Sequence, residues 1–131
     1  MFLLDTDILI WAIRGRKDVV EAIYAIKELG PTVISVVSVG EIYQNVFSTE
    51  LIETEDFLQR HDVYLVDYKV AKQAGLYRLE YVKKIEKLSL DDCFIAATAK
   101  INDLKLLTMN TRHFPMKDVD VAHPFTVLRK S

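Results

Sequence analysis

The sequence predicts an α/β fold built on a central parallel sheet, and three observations carry that expectation. Short apolar, β-branched runs alternate with longer stretches of helical spacing along the whole chain. Polar residues stand at or just past the ends of three of those runs, at Asp5, Glu41 and Asn110. Alternation of this kind implies parallel strands joined by right-handed crossovers, so the ends of those strands share one edge. Ligands of open parallel sheets bind beyond that edge.

Phe2-Leu3-Leu4 reads as the first strand, ending at Asp5, with Asp7 as the N-cap of a helix from Ile8 to about Ile13. The basic turn Arg14-Gly15-Arg16-Lys17 breaks that helix, close enough in sequence to the strand end to be a candidate for phosphate contact. Val19 to Leu29 has helical spacing and is ended by Gly30-Pro31. Thr32 to Val37 is a β-branched second strand, after which Ser38 and Glu41 have the spacing of a capping box on a helix running to Phe47. A helix over Thr49–Gln59 and a strand over Val63–Val66 follow. Lys69 to Lys87 is the longest helical stretch. It has Val70, Ala74, Tyr77, Tyr81 and Ile85 on one stripe and a Glu80–Lys84 pair opposite.

Ser89 caps the next helix, with Asp92 three residues on, and Cys93 to Ala99 is apolar on nearly every face, as a buried helix should be. Cys93 beside two acids is core rather than a nucleophile. Leu104–Thr108 reads as the fourth strand and Phe125–Leu128 as a fifth, with Arg129-Lys130-Ser131 as a frayed tail.

The 131 residues fit a single domain spanning 1–131, and half of them are apolar. One cysteine allows neither an intrachain disulfide nor a thiolate metal cage, and it fits a reducing cytoplasm. The apolar start carries two aspartates and no basic leader, unlike a signal peptide. No apolar run is long enough to suggest a membrane span. A formal charge of −2 opposes a broad basic surface that coats nucleic acid, although a local basic rim around an acidic site is compatible with it.

Asp5, Glu41 and Asp92 are expected to converge at the sheet edge, with Asn110 arriving from the fourth strand. Each acid taken alone is adequately explained as a helix cap. Together, like charges in one cleft repel and raise one another's pKa values, which favours a cation between them. All-oxygen ligation suits Mg²⁺ or Mn²⁺ rather than Zn²⁺, and His61, His113 and His123 lack metal-ligand spacing. The chemistry most consistent with these parts is metal-assisted attack of water on a phosphodiester.

Four segments then resemble the PIN-domain ribonucleases, closest to the VapC-type toxins: Leu4-Asp5-Thr6-Asp7-Ile8-Leu9, Ser35-x-x-Ser38-x-x-Glu41, Leu88-x-Leu90-x-Asp92-x-x-Ile95-Ala96-Ala97-Thr98-Ala99 and Leu107-Thr108-x-Asn110-x-x-x-Phe114. The resemblance covers essentially the whole chain in order. It implies a three-layer α/β/α fold, Mg²⁺- or Mn²⁺-dependent cleavage of RNA, homodimerisation and inhibition by a cognate VapB-type antitoxin. Asp5, Glu41 and Asp92 match the family's first three acidic positions, as metal ligands and catalytic groups. At the fourth the family commonly has an acid at the place of Asn110 or of His113, so Asn110 offers a carbonyl oxygen without charge. Thr6, Asp7, Asp91, Thr108 and His113 are supporting candidates, and Arg14, Arg16, Lys17 and Arg112 are candidates for RNA contact.

Three other readings fit parts of the sequence. Asp5-x-Asp7 resembles the first motif of haloacid-dehalogenase-like phosphotransferases, but Ile8-Leu9-Ile10 stands where those need a Gly/Thr loop. A metal-free PIN scaffold that only binds RNA or protein fits the neutral Asn110. A structural protein whose acids merely cap helices would bind no metal.

Overall fold

The computed structural model describes residues 1–85 and 87–129. Five parallel strands run in the order β3-β2-β1-β4-β5: β1 Phe2–Leu4, β2 Thr32–Ser35, β3 Asp62–Tyr64, β4 Lys105–Leu107 and β5 Val121–Ala122. The order reverses between β1 and β4, and at such a switch point the connecting chains leave in opposite directions and open a crevice.

Side chains alternate across the sheet, so each strand feeds both layers. Leu3, Val33 and Leu106 pack with Val70, Ala74, Tyr77, Ile95 and Ala96 from α5 (Tyr68–Tyr81) and α6 (Leu90–Ile101). Leu4, Ile34 and Leu107 pack on the other side with Ile8, Leu9, Ile23, Ile26 and Leu58. Those come from α1 (Thr6–Ile13), α2 (Lys17–Leu29) and α4 (Leu51–Gln59). The result is the expected three-layer α/β/α arrangement. Leu3, Leu4, Ile34, Leu106 and Leu107 have no exposed surface. A β-strand buried on both faces reads as a continuous apolar run, which is why three-residue strands were visible in the sequence at all.

Several boundaries differ from the expected ones, each for a local reason. Asp5, not Asp7, caps α1: its carboxylate accepts from Thr6 N–H at 2.8 Å, and the helix starts two residues earlier. Likewise Ser35 caps α3 (Val36–Tyr43) through Val37 N–H at 3.1 Å, which leaves Ser38 inside the helix and fully buried. Glu41 is therefore in the second turn of α3 and is not part of a capping box. A 3₁₀ turn at Ser48–Glu50 precedes α4, and α5 stops at Tyr81, where Lys84 lies over the Tyr81 ring rather than against Glu80. Part of the stretch expected to extend that helix, Glu86, lies outside the described residues.

The expected fifth strand is a helix. Pro124 opens α7 (Pro124–Arg129), a position its fixed φ favours, and His123 Nδ1 accepts from Phe125 N–H. The fifth strand is instead Val121–Ala122, paired with Leu106 and Leu107. Arg129 closes α7, and the last two residues of the expected tail lie outside the described residues.

Candidate functional site

The switch point brings the ends of β1 and β4 side by side. Asp5 N–H donates to Leu107 C=O at 2.9 Å, one residue past the β1 strand, so Asp5 is positioned by the sheet before its side chain does anything. Thr108 is fully buried, and its Oγ1 donates to Asp5 Oδ2 at 2.8 Å. The same oxygen stands 3.4 Å from Asp7 Oδ2 and accepts from Asn110 N–H at 3.1 Å. Asp7 Oδ1 also lies 3.4 Å from Met109 N–H, which ties the first turn of α1 to the loop leaving β4.

Glu41 reaches the site from α3, accepting from Thr6 Oγ1 at 2.7 Å. Asp92 comes from the first turn of α6, where Ser89 Oγ caps the helix by accepting from Asp92 N–H at 3.0 Å. Burial raises the pKa of Asp5, Asp7, Glu41 and Asp92 alike. Asp5, only 7 % exposed, is pushed up to about 8, with the charge of Asp7 and then of Asp92 adding to the effect of burial. The Asp91 and Asp92 charges raise Glu41 further, whereas His113 partly offsets the burial of Asp92. Asp92 is thus felt by both Asp5 and Glu41, and Asp7 by Asp5.

The adjacent acids on α6 divide as their ~100° separation on a helix requires. Asp92 is half-buried and is felt by Asp5. Asp91 is exposed and lines, with Glu41, Gly40 and Phe94, an open cleft of about 300 Å³. Cys93 next to them is fully buried and its thiol is pushed up to about 11, consistent with a core role.

Among the described residues no three Asp, Glu, His or Cys side chains close into a cluster that would enclose an ion unaided. The donor set nevertheless fits a hydrated hard cation. Mg²⁺ keeps several waters and takes only one or two carboxylates directly, so carboxylates spread around a crevice suit it better than a tight cage. Asp5 offers a carboxyl already fixed by two donors, with Asp92 near enough to raise its pKa and Glu41 bonded to the hydroxyl of the next residue, Thr6.

The remaining candidates separate. Asn110 is exposed at the lip, with its amide Nδ2 3.0 Å from His113 Nε2, and Arg112 lies between them on the same 3₁₀ turn, Thr111–His113. Arg14, Arg16 and Lys17 do not sit beside the strand end. α1 starts at Asp5 and carries the chain ~12 Å away over its eight residues. There Arg14 lies over the Phe47 ring, Arg16 pairs with Asp18 at 2.7 Å over the Trp11 ring, and Lys17 faces Glu21 at 3.9 Å. Sequence reasoning missed Ser38 as a site residue. Its spacing to Glu41 was the signal, but it was read as a cap.

Acids gathered where the strand order of a parallel sheet reverses mark a ligand-binding crevice, and the chain belongs to the PIN domain family, which matches it over residues 2–121. It is 34% identical to Ribonuclease VapC10 of Mycobacterium tuberculosis over 127 residues, 97% of this chain and 95% of that one. It is 29% identical to the tRNA(fMet)-specific endonuclease VapC of Shigella flexneri, over 86% of this chain and 89% of that one. Among solved structures it resembles a toxin-antitoxin complex from Klebsiella pneumoniae, with a TM-score of 0.73, 27% identity and coverage of 95% and 98% of the two chains.

Proposed function

We propose that this chain is a divalent-metal-dependent endoribonuclease and the toxin of a VapBC-type toxin–antitoxin pair. The observation that carries the reading is the hydrogen-bonded line Thr108–Asp5–Thr6–Glu41, with Asp92 opposite, in the crevice at the switch point. Membership of the PIN family and likeness to named ribonucleases across nearly the whole chain support it.

In this reading Asp5, Asp92 and Glu41 would hold Mg²⁺ or Mn²⁺, which when bound would supply Lewis-acid stabilisation and lower the pKa of an attacking water. Thr6 N–H and Thr108 Oγ1 keep the Asp5 carboxylate from rotating. The N-terminal ends of α1 and α6 lie at Asp5 and Asp92, and the dipoles of both helices favour negative groups there. Asn110, Arg112 and His113 form the lip that meets RNA. The Asn110 amide Nδ2 stands 3.0 Å from His113 Nε2, which orients that ring at the lip.

The antitoxin would lay an apolar helix between α1, α2 and α4, where a cavity of about 240 Å³ is lined by Ala12, Val20, Ile23 and Phe57. A homodimer is supported by α5, whose Tyr68, Leu76 and Leu79 are exposed along one stripe. No helix among the described residues is long and apolar enough to cross a membrane, and the cytoplasm is the proposed location.

Single-stranded RNA should be cut with Mg²⁺ or Mn²⁺ and left intact with EDTA. Expression of the chain alone should arrest growth, and soluble Asp5→Asn should relieve the arrest. Cleavage that persists in chelator, or arrest that Asp5→Asn leaves unchanged, would refute the proposal.

A further inference from the structure

Glu41 is aimed by two hydroxyls rather than by its own helix. Thr6 Oγ1 donates to Glu41 Oε1 at 2.7 Å, and Ser38 Oγ lies 2.8 Å from that same Thr6 oxygen. A hydroxyl has one proton. Thr6 gives its proton to the carboxylate, so Ser38 must be the donor to Thr6. Both hydroxyls are out of solvent, Ser38 at 0% and Thr6 at 8% exposure, so water does not substitute for either partner.

The sequence relations explain why the chain of bonds exists. Ser38 precedes Glu41 by three residues on α3 and so shares its face. A serine inside a helix ordinarily returns its proton to the carbonyl one turn back. Ser38 instead bonds across to α1, at the residue directly after Asp5. The carboxylate of α3 is thereby referenced to the N-terminus of α1 and, through the backbone, to Asp5. Without that reference, a half-buried glutamate would have three torsions free to carry its carboxylate away from the crevice.

We infer that Ser38 is a positioning residue for Glu41, acting only through Thr6, and that it sets the separation of the Glu41 and Asp5 carboxylates. The inference rests on the metal-dependent nuclease reading above and assigns the pair a role in that site. Removing a group that orients a metal ligand typically costs about 10–100-fold in metal affinity or activity.

The test is a double-mutant cycle on the full chain, reading Mn²⁺ affinity by calorimetry, and kcat and KM on a single-stranded RNA. Ser38→Ala should weaken Mn²⁺ binding by about tenfold and lower kcat, with KM for RNA unchanged. Thr6→Val should lose at least as much, and Thr6→Ser should restore most of it. The combination of Ser38→Ala with Thr6→Val should be no worse than Thr6→Val alone, since Ser38 has no other route to Glu41. Ser38→Cys, similar in size with a weak donor, should fall between wild type and Ser38→Ala, and it serves if the alanine variant does not fold. Ser38 variants that match wild type in Mn²⁺ affinity and kcat, or losses that add in the double variant, would overturn the inference alone. A wild-type chain that neither binds Mn²⁺ nor cleaves RNA would overturn the functional reading and the inference with it.

Discussion

Replacing Asp5 by asparagine should stabilise the metal-free protein at alkaline pH while abolishing its response to Mn²⁺. The Asp5 carboxyl is held near pH 8 in the folded chain against an ordinary value of 3.8, chiefly because it is buried. A group whose folded pKa is raised contributes stability that is complete below its unfolded pKa and is lost as pH climbs through the folded one. The window here runs from about pH 4 to about pH 8. At 1.36 kcal/mol per pH unit the loss approaches ~5 kcal/mol, a large share of the ~5–15 kcal/mol of a typical domain. Asp7, Glu41 and Asp92 are shifted the same way, so they steepen the decline. Asparagine is isosteric and keeps both partners: its oxygen accepts from Thr6 N–H, and its amide donates to Thr108 Oγ1. Urea melts in EDTA from pH 5 to pH 9 should show wild type weakening steeply and Asp5→Asn much less, so that the variant is the more stable protein at pH 8. Mn²⁺ at ~100 times its Kd should return ~2.7 kcal/mol to wild type and nothing to Asp5→Asn. Parallel pH profiles for the two proteins would refute the argument that Asp5 is a buried, charge-crowded carboxyl.

On α6, Asp92→Asn should abolish cleavage and weaken Mn²⁺ binding, whereas Asp91→Asn should keep most activity; the opposite ranking in an RNA cleavage assay would mean the exposed acid is the ligand. Arg112→Ala should raise KM for RNA, while Arg14→Ala, whose guanidinium lies over Phe47, should leave steady-state kinetics unchanged. Ile95→Ala, at a fully buried position between α6 and the sheet, should cost ~2–5 kcal/mol in denaturant melts with RNA cleavage retained under native conditions.

The layer order was legible because periodicity reports burial directly. Leu3 and Leu4 are adjacent and both buried, as a two-faced central strand requires, and the buried alanines at 96, 97 and 99 mark the helix packed against it. The convergence of Asp5, Glu41 and Asp92 was legible for a topological reason, since parallel strands send their ends to one edge. Boundaries and hydrogen-bond partners were not. Asp5 and Asp7, or Ser35 and Ser38, are equally good caps by residue type, and the choice is made by where the sheet stops pairing. Leu107 C=O accepts Asp5 N–H and fixes that point, yet Leu107 lies a hundred residues away in sequence. Val127 and Leu128 have strand propensity but pack as a helix, because Pro124 and the His123 cap act locally before any strand partner is available. The loop cations looked close to Asp5 only in sequence, as a helix converts nine residues into distance.

Thr108 fastens the exits of β1 and β4 to each other independently of the side chain at position 110. Its one hydroxyl proton goes to Asp5 at 2.8 Å, with Asp7 next nearest at 3.4 Å, and its lone pair receives Asn110 N–H. The backbone of the β4 exit loop is therefore fastened to the β1 exit by Thr108, whatever side chain residue 110 carries. The Asn110 side chain is then released to hold His113 at the lip, where the ring lies near enough to Asp92 to offset part of the effect of its burial. On the β1 side Asp7 lies two residues after Asp5, and burial raises its pKa as well. If RNA enters past Asn110, Arg112 and His113, as proposed, it would meet hydrogen-bond donors and the Arg112 guanidinium before the carboxylates, and Arg112→Ala would then act on KM.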